Sequence, residues 1–161
     1  MGAGKSFIGK MLADKLSCEL IDTDEYIISW KLKSIPDIFK EYGEEGFREI
    51  EHEAIVKLSS KDGVVISLGG GAVTSKPNVD AIKAGGKVVL LDSSFDVCYE
   101  RICGDSNRPI VMQKSKDELL ELYSSRMLIY KEASDIIIKT NGKSPQQIVD
   151  EIIKSIKIPH Q

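Results

Sequence analysis

A chain of 161 residues, 42% hydrophobic and 29% charged, has the size of one domain with one core and the balance of an ordinary soluble globular protein. Its net charge of -3 excludes bulk electrostatic binding of nucleic acid or of a membrane surface, so any bound anion must be met by a local cluster of positive groups. No apolar run approaches a membrane span, no leader pattern is evident, and Cys18, Cys98 and Cys103 lack metal-ligand spacing; the expectation is a cytoplasmic protein with reduced thiols.

In chain order, Lys5 to about Leu16 reads as a helix, with Ile8, Met11, Leu12 and Leu16 on one face. Glu19 to Ile21 is a short apolar approach to Asp22. A mostly helical stretch follows from Glu25 to about Ser60, broken near Pro36 and again at Gly43. Val64 to Leu68 is a buried-strand run that ends in Gly69, Gly70 and Gly71, and Lys87 to Leu91 is a second such run. Ser94 to Ile102 reads as a helix, Gly104 to Ser115 as polar and irregular, and Asp117 to Glu132 as a long helix. Asp135 to Lys139 reads as a strand and Ser144 to Ile156 as a closing helix.

Strand runs alternating with helices predict an α/β fold, a parallel sheet flanked by helices. Such sheets bind ligands at the carboxyl ends of their strands. The Asp22 and Gly69 segments both sit at such ends, so they are expected in one site.

Gly2-Ala3-Gly4-Lys5-Ser6 is the back half of a phosphate-binding P-loop. A glycine-rich turn aims backbone N–H groups at phosphate oxygens, and the helix starting near Lys5 adds its positive end. Lys5 would reach the β- and γ-phosphates and Ser6 would hold Mg²⁺. The full pattern, G-x-x-x-x-G-K-[ST], has an earlier glycine and a feeding strand that this chain lacks, so the first central strand is expected to be missing from it. The natural protein is therefore expected to carry roughly ten more N-terminal residues, one strand and half a loop.

Beyond this loop come Ile21-Asp22-Thr23-Asp24, Ile38-Phe39, Gly43-Glu44, Phe47-Arg48 and Glu51, Ser67-Leu68-Gly69-Gly70-Gly71-Ala72-Val73, Arg108-Pro109, and Arg126 with Tyr130. In order and spacing the set resembles shikimate kinase, from the P-loop to near the carboxyl end. The resemblance implies a P-loop NTPase-like (nucleoside monophosphate kinase-like) domain spanning 1–161. Its core would be 1–24, 61–103 and 117–161, its substrate-binding helices about 25–60 and its lid about 104–116. It implies a monomer that uses ATP and shikimate, with Mg²⁺, and no nucleic acid or membrane partner.

The resemblance also implies roles. Lys5, Asp24 and Arg108 would be catalytic, with Asp24 accepting a hydrogen bond from the reacting hydroxyl and Arg108 swinging onto the transferring phosphate. Asp22 and Ser6 would serve the metal. Arg48 and Arg126 would grip the substrate carboxylate, for which a planar guanidinium is suited. Gly69, Gly70 and Gly71 would close on the substrate, where a side chain would block approach. Gly2, Ala3, Gly4, Lys5, Ser6, Phe7, Arg101, Arg108, Lys143 and Pro145 would contact ATP.

The residues also admit plainer readings. Asp22 and Asp24 could cap the next helix in an Asx turn, and Arg48 and Arg126 could form surface ion pairs. Phe7 stands where the family usually has Thr or Ser, Lys143 where it often has Arg, and Met127-Leu128-Ile129-Tyr130 lacks the family's proline. Trp30 could be core or pocket wall, and His52 and His160 show no base or ligand pattern. Two alternatives stand beside shikimate phosphorylation: a gluconate kinase-like P-loop enzyme, and a non-catalytic nucleotide-binding module.

Overall fold

The computed structural model describes residues 2–103 and 115–157. The chain forms two compact units, Gly9–Lys87 and Met1–Ile8 with Val88–Gln161, and the division falls within helix α1 (Lys5–Leu16).

In the Gly9–Lys87 unit, strand β1 (Glu19–Asp22) leads into α2 (Thr23–Lys31) and α3 (Ile35–Ser59) before β2 (Val64–Ser67). β1 and β2 pair in parallel, Ile21 opposite Ile66 and Asp22 opposite Ser67. A parallel pair needs a long crossover, and α2 and α3 supply it. Each helix starts on a side-chain cap: Asp22 for α2 and, for α3, Ser34, whose hydroxyl accepts from Asp37 N at 3.2 Å. A 3-10 turn (Ala72–Thr74) and α4 (Lys76–Gly85) follow β2. The core joins Ile27 of α2 to Ile38, Phe47, Ile50 and Ala54 of α3, with Tyr26, Trp30 and Ile35 against it. Burial of each such large side chain stabilises the fold by about 1.5–3 kcal/mol. Trp30 therefore flanks this core, with the ammonium groups of Lys31 and Lys57 at 3.8 and 3.7 Å from its ring centroid.

In the other unit, β3 (Val89–Asp92) and β4 (Ile136–Lys139) pair in parallel, Val89 opposite Ile136 and Asp92 opposite Lys139. Between them run α5 (Phe95–Cys103) and α6 (Lys116–Ala133); α7 (Pro145–Lys157) follows. A reciprocal capping box between Ser115 and Glu118 starts α6. α7 buries Ile148, Val149 and Ile152 on one face. β4 alternates, with Ile136 and Ile138 buried and Ile137 and Lys139 exposed.

The expected parallel α/β organisation holds. Among the described residues each sheet has two strands, β1-β2 and β3-β4. The expected break near Pro36 is present between α2 and α3, and Pro36 itself sits in the first turn of α3, where its missing N–H costs nothing. One local expectation changes. Helix α4, absent from the sequence reading, occupies residues between the two apolar runs.

Candidate active site

The Gly9–Lys87 unit brings together the acid pair, one arginine and the glycine triplet. At the end of β1, Asp22 Oδ1 accepts from Asp24 N at 2.9 Å and from Glu25 N at 3.3 Å, so Asp22 does cap α2. A carboxylate has about four acceptor sites, and Oδ2 stands outside both of these bonds. Asp24, in the first turn of α2, is exposed and lies against Gly69: a Cβ at position 69 would sit 2.9 Å from Asp24 Oδ1. Thr23, buried between the two acids, ties the strand ends together, its Oγ1 accepting from Gly69 N at 2.8 Å. The expected convergence of the Asp22 and Gly69 segments is thus realised.

Arg48 reaches the same turn from α3. A Cβ at position 71 would lie 2.4 Å from Arg48 Nη1, so the guanidinium lies directly on the Gly71 backbone and holds this position only while no side chain stands there. Arg48 is not merely a surface ion pair. It donates to Glu51 Oε2 at 2.8 Å, and Glu51 is only 3% exposed, while Glu44 stands 3.8 Å away. A buried carboxylate needs such a partner, and the pair fixes the direction of the arginine. Gly70 lies between these two contacts in the chain.

The other unit holds the start of the phosphate loop. Gly2 and Gly4 both have positive φ, 67° and 85°, which explains two glycines before Lys5. A Cβ at Gly2 would also sit 2.6 Å from the carbonyl oxygen of Cys98 on α5. Arg101 Nη1 donates to Gly2 O at 3.2 Å, placing its guanidinium beside the loop. Lys5, Ser6 and Phe7 form the exposed first turn of α1, and Ala3 is half-buried. Exposed N–H groups at a helix start, with a lysine and a hydroxyl, are suited to phosphate and to a hard cation.

At the ends of β3 and β4, Ser93 and Thr140 hydroxyls meet at 2.5 Å, and Asn141 Oδ1 accepts from Ser94 N at 3.1 Å. These bonds set the turn before Pro145, and Lys143 on it pairs with Glu151 of α7. Arg126 is half-buried on α6 and hydrogen-bonds Tyr130; burial pushes the Tyr130 phenol up, while Arg126 pulls it down. Cys98 is a free, buried thiol, and Cys18 is free and half-buried. Arg108, the 104–114 part of the lid, and His160 lie outside the described residues.

Sequence reasoning left Thr23, Asn78 and His52 without a role and gave Glu51 only a place in the motif. The Arg48–Glu51 spacing of three on a helix was a readable pairing signal. The bonds of Thr23 to Gly69 and of His52 to Asn78 span 46 and 26 residues, and nothing local announces them.

A parallel α/β fold with a lysine-bearing glycine loop at a helix start defines an ATP-dependent P-loop kinase of the nucleoside monophosphate kinase-like class. The family model for shikimate kinase matches residues 1–157, and the chain belongs to that family. The chain is 41% identical over 157 residues to the shikimate kinase of Persephonella marina, covering 98% of this chain and 94% of that protein. It is 37% identical over 159 residues to that of Enterococcus faecalis, with the same coverage of both. Among solved structures, shikimate kinase from Acinetobacter baumannii in complex with shikimate superposes with a TM-score of 0.87 at 34% identity, covering 97% of this chain and 88% of that one. Shikimate kinase from Aquifex aeolicus gives 0.84 at 36% identity, covering 98% and 92%.

Proposed function

We propose that this chain transfers the γ-phosphate of ATP to the 3-hydroxyl of shikimate, giving shikimate 3-phosphate and ADP. The observation that carries the reading is the gathering of Asp24 and Arg48 on the glycine turn, an acceptor and a carboxylate grip facing one close-approach backbone. In that reading Asp24 orients the reacting hydroxyl and takes its proton late, because phosphoryl transfer depends mainly on positioning and charge stabilisation. Arg48, held by Glu51, grips the substrate carboxylate, and Arg126 assists. Lys5, the loop N–H groups and Arg108 hold the triphosphate, and Arg101, Phe7, Lys143 and Pro145 border the nucleotide.

Mg²⁺ would neutralise charge on the phosphates. The donors proposed for it, the Ser6 hydroxyl and Asp22 Oδ2, are hard oxygens, and few protein ligands suffice because this ion keeps most of its waters. Among the described residues no group of three acids, histidines or cysteines could cage a metal, and no helix is long and apolar enough to cross a membrane. The chain is read as one kinase domain, monomeric and cytoplasmic, with shikimate and ATP as its ligands.

A coupled ADP-release assay with Mg²⁺-ATP tests the assignment. Turnover is expected with shikimate and not with gluconate; gluconate turnover alone would point to the related sugar-acid kinase. ATP binding by calorimetry with neither shikimate binding nor turnover would point to a non-catalytic module. Lys5→Ala and Asp24→Asn are expected to lower kcat far more than they weaken shikimate binding.

A further inference from the structure

The glycine turn is tied down at both flanks by fully buried polar side chains. On its leading side Gly69 N donates to Thr23 Oγ1 at 2.8 Å. On its trailing side Asn78 Nδ2 donates to the carbonyl oxygen of Ala72 at 2.8 Å. Thr23 and Asn78 are each 1% exposed. Between them, Ala72 N closes back on Gly69 O at 3.1 Å, so the two anchors bracket one continuous loop.

The Asn78 anchor is itself oriented. The Ala72 carbonyl can only accept, so the amide nitrogen of Asn78 faces it and Oδ1 faces away. Oδ1 lies 2.7 Å from His52 Nδ1 and must receive a hydrogen bond there. His52 therefore carries a proton on Nδ1 and donates to Asn78. His52 stands four residues after Arg48 on α3, and Thr23 stands one before Asp24 at the start of α2. Each anchor thus belongs to, or is held by, the helix that also carries one of the side chains lying on the turn.

We infer that Thr23 and Asn78, the latter oriented by His52, are positioning residues that keep the Gly69–Gly71 backbone in register with Asp24 and Arg48 for the acceptor substrate. The inference rests on the proposed acceptor site. An anchored turn meets a carboxylated polyol already in place, so the ordering cost of closing it is not drawn from binding. Loss of an anchor leaves a buried donor or acceptor unpaired and lets the loop drift, which weakens acceptor binding while leaving the nucleotide side untouched.

The test is steady-state kinetics with thermal melting on Thr23→Val, Thr23→Ser, Asn78→Ala, His52→Ala and, as a reference, Arg48→Ala. Thr23→Val and Asn78→Ala are expected to raise KM for shikimate about three- to tenfold, with KM for ATP changed less than about twofold. His52→Ala is expected to move KM for shikimate the same way by a smaller factor, and Thr23→Ser, which keeps the hydroxyl, is expected to stay near the parent. Lowered melting temperature with KM for shikimate unchanged in Thr23→Val and Asn78→Ala overturns the inference and leaves only a structural role. Should those two variants fail to fold, partly buried His52 decides: an unchanged KM in His52→Ala overturns it equally. If Arg48→Ala raises KM and the anchor variants do not, the inference alone is lost. If Arg48→Ala leaves KM unchanged, the acceptor-site reading falls first and the inference with it.

Discussion

A methyl group at position 71 would stand 2.4 Å from Arg48 Nη1, while at position 43 it would meet nothing within 4 Å. The obstacle at position 71 is the end of a long side chain, which can swing aside at small cost to folding. The guanidinium then leaves Glu51 and its proposed ligand together. Gly71→Ala is therefore expected to keep its melting temperature within a few degrees while raising KM for shikimate at least about tenfold, as is expected of Arg48→Ala, the equivalent of about 1.4 kcal/mol. A parent-like KM in Gly71→Ala would show that the arginine does not work from this position. Strand ends alone brought the Asp22–Asp24 segment and the glycine triplet to one place, because parallel sheets bind ligands there, whereas Arg48 on α3 was legible only through the family resemblance. Neither signal picked out Thr23 or Asn78. A buried Thr between two aspartates and an Asn after a proline look like cap and turn residues, and only the fold reveals the distant groups they meet.

Two helix features make the same demand on the backbone, a positive φ, which glycine meets at one and leucine at the other. Gly43 interrupts α3 at φ 70° and ψ -174°, a region open essentially to glycine alone, five residues before Arg48. Leu32 ends α2 in the left-handed conformation, φ 54°, with 88% of its surface exposed. Gly43→Ala is expected to cost about 1–3 kcal/mol of stability, from the backbone alone, since open space surrounds the site. Leu32→Gly is expected to gain about 0.5–1 kcal/mol, because a side chain is replaced where glycine is preferred and nothing packed is lost. Urea unfolding midpoints of the two variants check both signs, and a stabilised Gly43→Ala would refute the kink. Elements were legible in proportion to their periodicity. The long helices and the Val-Ile strand runs announced themselves, and Gly43 was readable as a breaker. Helix α4 was not, because Lys76-Pro77-Asn78-Val79-Asp80 offers little apolar repeat and reads as a loop between glycines. Its signal was Pro77 in the first turn, just as Pro36 stands in the first turn of α3 after the break that precedes it.

At the scale of the molecule, pH offers a test that uses several buried acids at once. Burial pushes Cys98 above its ordinary value of 9.0, and Tyr123 and Tyr130 above theirs of 10.0. All three are neutral acids whose folded form resists losing the proton. Above pH 9 the unfolded chain releases these protons first, the folded state binds more of them, and stability must fall as pH rises. Below that window the folded and unfolded chains hold them equally and the contribution is constant. For Tyr123 the cause is also visible in geometry, since its hydroxyl donates to Ser93 O at 2.5 Å and must keep its hydrogen to do so. Lysine deprotonation and a growing negative charge act in the same direction, so the decline alone proves little. The discriminating measurement is its slope. Tyr123→Phe is expected to melt lower than the parent at pH 8, having lost the bond, yet to lose stability less steeply between pH 9 and 11, having no phenol to ionise. Parallel curves for the two proteins across that range would mean that the phenol titrates alike in the folded and unfolded chain, and that its hydrogen bond to the end of β3 does not hold the proton.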